Sequence, residues 1–261
     1  MKIYCCQFDI AWENKTANFE KVRSLLSAGE IERESLVLLP EMFATGFSMN
    51  IAAIAEEENS GTEEFLAQTA REFGMFLMGG VVAEGKHRRG RNEAVLFTPE
   101  GEIAARYCKV QPFTLGGESQ NYVAGEELIV VPWRGFSLAP FICYDLRFPE
   151  LFRGAVRRGA NLMTVVANWP VSRIQHWVTL LQARAIENQA YVAGVNRCGT
   201  DPKFTYNGQS LIVNPAGEIV ARAGDGECVI SAEVDLKHVT AYRAELPFLK
   251  DIRPDYGTLS K

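Results

Sequence analysis

The chain has 261 residues, 47% hydrophobic and 23% charged, which excludes a disordered or low-complexity protein. Its formal net charge of −5 argues against nucleic acid or an anionic membrane as the main partner. No apolar run reaches membrane-spanning length, the opening MKIYCCQFDI lacks a signal-type apolar stretch, and no Cys or His spacing suggests a metal site, so a cytoplasmic protein with six reduced cysteines and no metal is expected.

In chain order, MKIYCCQFDI reads as a strand, with the side chains of Cys5 and Cys6 on opposite faces. Residues 14–26 have helical spacing, carried by Phe19, Val22, Leu25 and Leu26. Residues 35–40 form a short apolar strand of the fully buried kind. A second helix is predicted over 62–73, with Gly74 just past its end. Strands over 75–83 and 92–97 flank the basic KHRRGR segment, read as a solvated loop. The second half repeats the alternation: a strand over 136–143, a helix over 149–158 with Pro149 in its first turn, a strand over 162–167 and a helix over 174–189. Strands over 191–196, 209–214 and 229–234 follow.

NEAVLFTPEGEIAARY (92–107) echoes GQSLIVNPAGEIVARAG (208–224), each a strand, a Pro/Gly turn and a second strand. Shared turn chemistry would explain this, and so would a pseudo-symmetric core to which each half supplies one sheet. With β and α units alternating, the second explanation gives an α/β fold, a four-layer αββα sandwich. The whole of 1–261 is expected to be one domain with a C-terminal tail from about 240, whose PFLKDIRPDYG docks on the domain itself or on a neighbouring subunit.

Three apolar runs end on groups that carry chemistry: Glu41 in LVLLPEMF, Lys109 in ARYCKVQPF and Cys143 in SLAPFICYDLRFPE. Sites in open α/β sheets form beyond strand C-termini. A thiol at a strand end facing the start of a helix is placed to become a thiolate, because helix N-termini carry partial positive charge. The chain has only three histidines, and His176 is the sole candidate for a papain-like base. The alternative is a carboxylate base. Glu41 would take the thiol proton, pass it to a leaving amine and later activate water. Lys109 and the backbone N–H of Tyr144 would face the oxyanion, where loss of one donor typically costs about 3–4 kcal/mol. Attack on an amide then gives a thioester and ammonia, with no cofactor required.

The segments LLPEMFATGF, YCKVQPF and FICYDLRFPELFR resemble the nitrilase (carbon–nitrogen hydrolase) superfamily, and ANWPVSR and LLQARAIENQAYVAGVNR extend the resemblance along nearly the whole chain. Glu41, Lys109 and Cys143 fall on that family's Glu–Lys–Cys positions. The resemblance implies the αββα sandwich, usually dimerised. Many members carry a second glutamate between the Lys and the Cys; Glu118 in GGESQNYVAGEEL takes that place, to orient Lys109 and the substrate amide, with Glu126 and Glu127 the other choices.

CYDLRFPE and ANWP look most like the bacterial omega-amidases, which implies hydrolysis of the terminal amide of 2-oxoglutaramate-like ω-amides. The alternatives are a deaminated-glutathione amidase, an N-carbamoyl amino-acid hydrolase, a true nitrilase or a non-catalytic binding protein on the same fold. Because an ω-amide of this kind carries a carboxylate, the pocket needs a cation, for which Arg173 is the first candidate; Trp169, Phe43 and Phe113 are candidate walls. Arg147 is expected to pair with Glu150 and support the turn after Cys143, and Arg184 with Glu187 along a helix.

Overall fold

The computed structural model describes residues 1–253. The first half builds one sheet from β1 (Lys2–Gln7), β2 (Leu36–Leu38), β3 (Phe76–Glu84), β4 (Gly90–Phe97) and β5 (Ile103–Cys108). Helix α1 (Lys15–Ala28) follows β1; the one-turn α2 (Ile51–Ile54) and α3 (Thr62–Phe73) follow β2. Asn14 starts α1 by accepting the Ala17 N–H at 3.1 Å, and Gly74 ends α3 in the left-handed region at φ 62°. After the short α4 (Glu118–Asn121), the second half builds another sheet from β6 (Val131–Trp133), β7 (Phe136–Ile142), β8 (Leu162–Ala167) and β9 (Tyr191–Asn196), with α5 (Pro149–Arg157) and α6 (Ile174–Asn188) between the last three. A small hairpin, β10 (Cys198–Thr200) and β11 (Thr205–Asn207), precedes β12 (Leu211–Val213) and β13 (Ile219–Arg222). Finally β14 (Cys228–Glu233) returns to the first sheet, and α7 (Leu236–Glu245) closes the regular structure.

Each large sheet has six strands, in the orders β14-β1-β2-β3-β4-β5 and β13-β12-β9-β8-β7-β6. The two face each other: Tyr107 on β5 packs edge-on against Phe141 on β7 at 5.9 Å, and Thr164 on β8 reaches the Met78 sulfur on β3 at 3.3 Å. Ile3, Cys5, Leu36, Leu38 and Leu96 join Leu138, Leu162 and Val166 in this inter-sheet core. The opposite face of the first sheet, with Tyr4, Cys6, Val37 and Leu39, buries Val22 and Leu26 of α1 and Leu66 and Ala70 of α3. Helices α5 and α6 cover the second sheet through Phe152, Trp177 and Leu181. Each such fully buried aliphatic or aromatic side chain contributes about 1.5–3 kcal/mol. The result is the four-layer αββα sandwich, with Cys5 and Cys6 on opposite faces as the period-two alternation requires.

The repeated 92–107 and 208–224 segments are the β4–β5 and β12–β13 hairpins, each ending its own sheet and each interrupted by a register shift. In the tail, α7 lies on the chain's own surface: Arg243 donates to the carbonyls of Gln189, Asn188 and Ala160 at 2.9–3.1 Å. The end of the PFLKDIRPDYG segment, from residue 254 on, lies outside the described residues. KHRRGR is more than a solvated loop, because Arg89 donates to the carbonyls of Ser119 and Tyr122 and so ties the turn to α4.

Candidate active site

Strands β2 and β3 are parallel, and β4 and β5 reverse direction twice, so β2 and β5 end at the same edge of the first sheet. Glu41 lies just beyond β2 and Lys109 just beyond β5. Cys143 follows β7 in the second sheet, and Asn168 follows its parallel neighbour β8. Packing the two sheets brings these four residues together.

The geometry is a buried charge cluster. Lys109 Nζ donates to Glu41 Oε1 at 2.8 Å and to Glu118 at 2.9 Å (Oε2) and 3.1 Å (Oε1). Asn92 Nδ2 donates to the same two glutamates, at 2.7 Å to Glu41 Oε1 and 2.8 Å to Glu118 Oε1. The Asn168 N–H donates to Glu41 Oε2 at 2.9 Å, and the Phe113 N–H to Glu118 Oε2 at 2.5 Å. Buried charges persist when paired and fully hydrogen-bonded, and both carboxylates here meet that condition. Burial opposes the Lys109 charge, but Glu118 and Glu41 outweigh it and hold the ammonium pKa well above its ordinary value.

Cys143 has φ 44°, in the left-handed region that costs an ordinary residue about 1–2 kcal/mol. It opens a single 3₁₀ turn, Cys143–Arg147. Its Sγ lies 3.9 Å from the Asn168 carbonyl oxygen. Burial pushes the thiol pKa well above its ordinary value; Glu41 adds to the rise and Lys109 opposes it. This corrects the expectation of a dipole-favoured thiolate: two carboxylates against one ammonium leave the cluster net negative, and the resting sulfur keeps its proton. Behind the turn, Asp145 accepts from the Ile142 N–H at 3.0 Å, the Gln111 N–H at 2.9 Å and the Tyr107 hydroxyl at 2.9 Å. It thereby ties the Lys109 segment to the Cys143 turn.

Above the thiol opens a pocket enclosing about 410 Å³ of empty space, counting its mouth. Phe47, Phe113, Trp169, Arg147, Arg173 and the hairpin residues Phe204 and Tyr206 contribute to its lining. Arg147 stacks over Trp169 at 4.7 Å and meets His176 Nδ1 at 3.2 Å; Arg173 sits over Phe113 at 5.6 Å. Neither has a carboxylate partner among the described residues. Burial first, and then the charge of Arg173, lowers the Arg147 pKa. The Trp169 wall is fixed from behind by Asn196, which accepts its N–H at 2.7 Å and donates to its carbonyl at 3.0 Å.

Residues 2–244 match the model of a family described as carbon–nitrogen hydrolase. The chain belongs to the carbon–nitrogen hydrolase family. Omega-amidase YafV of Yersinia enterocolitica is 40% identical over 96% of each chain. The 2-oxoglutaramate amidase of Bacillus subtilis is 35% identical over 97% of this chain and 98% of its own. XC1258 of Xanthomonas campestris, a CN-hydrolase superfamily protein whose crystal structure carries an arsenic adduct in the active site, has a TM-score of 0.90 at 33% identity over 97% of each chain.

In this carbon–nitrogen hydrolase Glu41, Lys109, Glu118 and Cys143 converge, while Glu126 and Glu127 line a separate surface groove. Tyr144, Phe113, Trp169 and Arg173 reach the pocket. Phe43 does not: it is buried under α1 and α3 against Phe19 and Phe65, and Phe47 takes the wall instead. Nor does Arg147 pair with Glu150, which lies in a groove with Arg153 and Arg157; the Arg147 guanidinium turns into the pocket. His176 is exposed, contacts Arg147 and does not line the pocket over the thiol. Arg184 does pair with Glu187, at 3.0 Å. Sequence reasoning missed Asn92, Asn168 and Asp145. Their burial near the strand ends marks them in the structure, but nothing in their local sequence distinguishes them. Among the described residues, no group of three or more His, Cys, Asp or Glu is arranged to hold a metal ion, and no helix is long and apolar enough to cross a membrane.

Proposed function

We propose that this chain is an omega-amidase, hydrolysing the terminal amide of 2-oxoglutaramate-like ω-amides to the acid and ammonia through a thioester on Cys143. The observation that carries the reading is the Glu41–Lys109–Glu118 cluster beneath the Cys143 thiol, in a pocket that also holds two arginines with no carboxylate partner among the described residues. The names of the relatives from Yersinia enterocolitica and Bacillus subtilis support the same chemistry.

The substrate amide lies over Cys143 with its distal carboxylate toward Arg173 and Arg147. Glu41 takes the thiol proton as sulfur attacks the carbonyl carbon, because the net negative cluster does not support a free thiolate. Charge developing on the carbonyl oxygen is met by Lys109 and the Tyr144 backbone N–H. Glu41 returns the proton to the nitrogen, the C–N bond breaks and ammonia leaves. Water, deprotonated by Glu41, then attacks the thioester; the C–S bond breaks, Glu41 returns the proton to the sulfur, and the acid departs. Glu118 holds Lys109 in place throughout.

One domain over 1–261, a homodimer and a cytoplasmic location belong to the same proposal. The family resemblance supports the dimer, as does Phe248, 58% exposed beside α5; six free thiols support a reducing compartment.

Ammonia release from 2-oxoglutaramate tests the reading. The wild-type protein is expected to turn it over and Cys143→Ala to lose turnover. A matched amide without the distal carboxylate is expected to react with kcat/KM lower by about 10- to 100-fold, the worth of a charge-assisted hydrogen bond or two. Equal rates on both amides would refute the carboxylate-reading pocket, and preference for N-carbamoyl amino acids would replace the substrate class.

A further inference from the structure

The Lys109 ammonium already makes three contacts to carboxylate oxygens, at 2.8 Å to Glu41 Oε1, 2.9 Å to Glu118 Oε2 and 3.1 Å to Glu118 Oε1. A group that meets an oxyanion must free one of them. The 3.1 Å contact is the longest, and its acceptor, Glu118 Oε1, also receives the Asn92 amide at 2.8 Å. If Lys109 redirects that proton to a developing oxyanion, Glu118 Oε1 keeps one donor and is not left as a bare buried charge. The other amide proton of Asn92 goes to Glu41 Oε1 at 2.7 Å, so a single NH₂ group bridges both glutamates. Asn92 Oδ1 is buried with no partner among the described residues, and the flipped amide would point that oxygen at two carboxylates, which fixes the orientation. Asn92 is itself anchored, its backbone carbonyl accepting the Lys109 N–H at 2.9 Å.

We propose that Asn92 is a positioning residue that releases Lys109 for oxyanion stabilisation, by holding Glu118 and Glu41 when the ammonium turns to the substrate. The inference rests on the reading of Lys109 as an oxyanion donor and Cys143 as nucleophile. It predicts a defect confined to the tetrahedral state, whereas a purely structural role would weaken every ligand alike.

The probes are 5-oxopentanoate and glutarate. Cys143 adds to the aldehyde carbonyl of the first, forming a C–S bond while Glu41 takes the thiol proton, and this leaves an oxyanion; glutarate occupies the same pocket without an adduct. Inhibition constants for both, with kcat, are measured on Asn92→Ala. Its kcat and its affinity for 5-oxopentanoate are expected to fall together by about 10- to 100-fold, with glutarate inhibition unchanged within about twofold. Wild-type affinity for the aldehyde, or an equal loss for both ligands, overturns the proposal. Lys109→Met separates the two levels. If it too binds the aldehyde normally, the reading of the site fails; if only Lys109→Met loses the aldehyde, the role of Asn92 fails alone. Should Asn92→Ala not fold, the near-isosteric Asn92→Asp decides. Ionised, its carboxylate has no proton to offer Glu118; protonated, it has one. Its kcat relative to wild type is expected to rise as pH falls, and a flat or falling ratio overturns the proposal.

Discussion

Cys143 sits where burial and Glu41 both hold its proton, against the opposing pull of Lys109. In the proposed mechanism Glu41 therefore has two opposed effects: its negative charge makes the resting thiol less acidic, yet its oxygen is the proton acceptor during attack. Glu41→Gln separates them. Amide turnover is expected to fall by about 10²- to 10⁴-fold, the usual worth of a general base. Removing a negative charge lets the thiol ionise more readily, so the rate of Cys143 alkylation by iodoacetamide at neutral pH is expected to rise. Parallel loss of turnover and alkylation would mean that Glu41 merely holds the turn in shape.

At the scale of elements, two strand ends press their reactive residues against glycine. A Cβ on Gly80 of β3 would lie 2.4 Å from the Met42 nitrogen and 2.5 Å from the Glu41 Cα, and one on Gly125 would lie 2.2 Å from the Cys108 carbonyl oxygen, beside Lys109. Both contacts are with backbone, which cannot rotate away. Gly80→Ala is expected to lower stability by about 1–3 kcal/mol, the range for overpacking, and to reduce kcat by at least about tenfold by displacing Glu41. Urea titration and ammonia release measure the two, and a variant with wild-type kcat would show that the Glu41 segment moves freely. The long elements were legible because their signals are local: Leu36–Leu38 is continuously apolar, and α3 has acidic residues in its first turn and Gly74 at its end. The three-residue strands β6, β10 and β11 were not, since three residues are too few to show a period-two pattern even though their hairpin partners lie nearby in the chain. Helix α7 buries only Val239 and shows no clear apolar stripe. The same distinction holds in the site. Glu41, Lys109 and Cys143 end apolar runs and could be read, whereas Asn92 meets Glu41 across 51 positions and Asn168 meets it across 127. Phe43 and Phe47 show the limit of such reading, because which of two aromatics in one turn enters the pocket depends on helices packed from outside.

For the whole molecule, Asp145 links chemistry to stability. Burial raises its carboxyl from 3.8 to about 7, against the opposing pull of Lys109 and three hydrogen bonds. Between those values the folded chain holds a proton that the unfolded chain gives up, so folding stability falls as pH rises through about 4 to 7 and is level above that. Asp145→Asn is expected to flatten that slope in urea titrations across the window; an unchanged slope would assign it to other groups. The wider consequence follows from the division of labour between the sheets. Glu41, Asn92 and Lys109 belong to the first sheet and its ends, Cys143 and Asn168 to the second, and neither half holds a complete set. A chain still being synthesised, or one whose layers have come apart, therefore carries an ordinary thiol and scattered charges. In the proposed mechanism the thioester can form only after the two layers have closed, so assembly itself serves as the safety catch on the reaction.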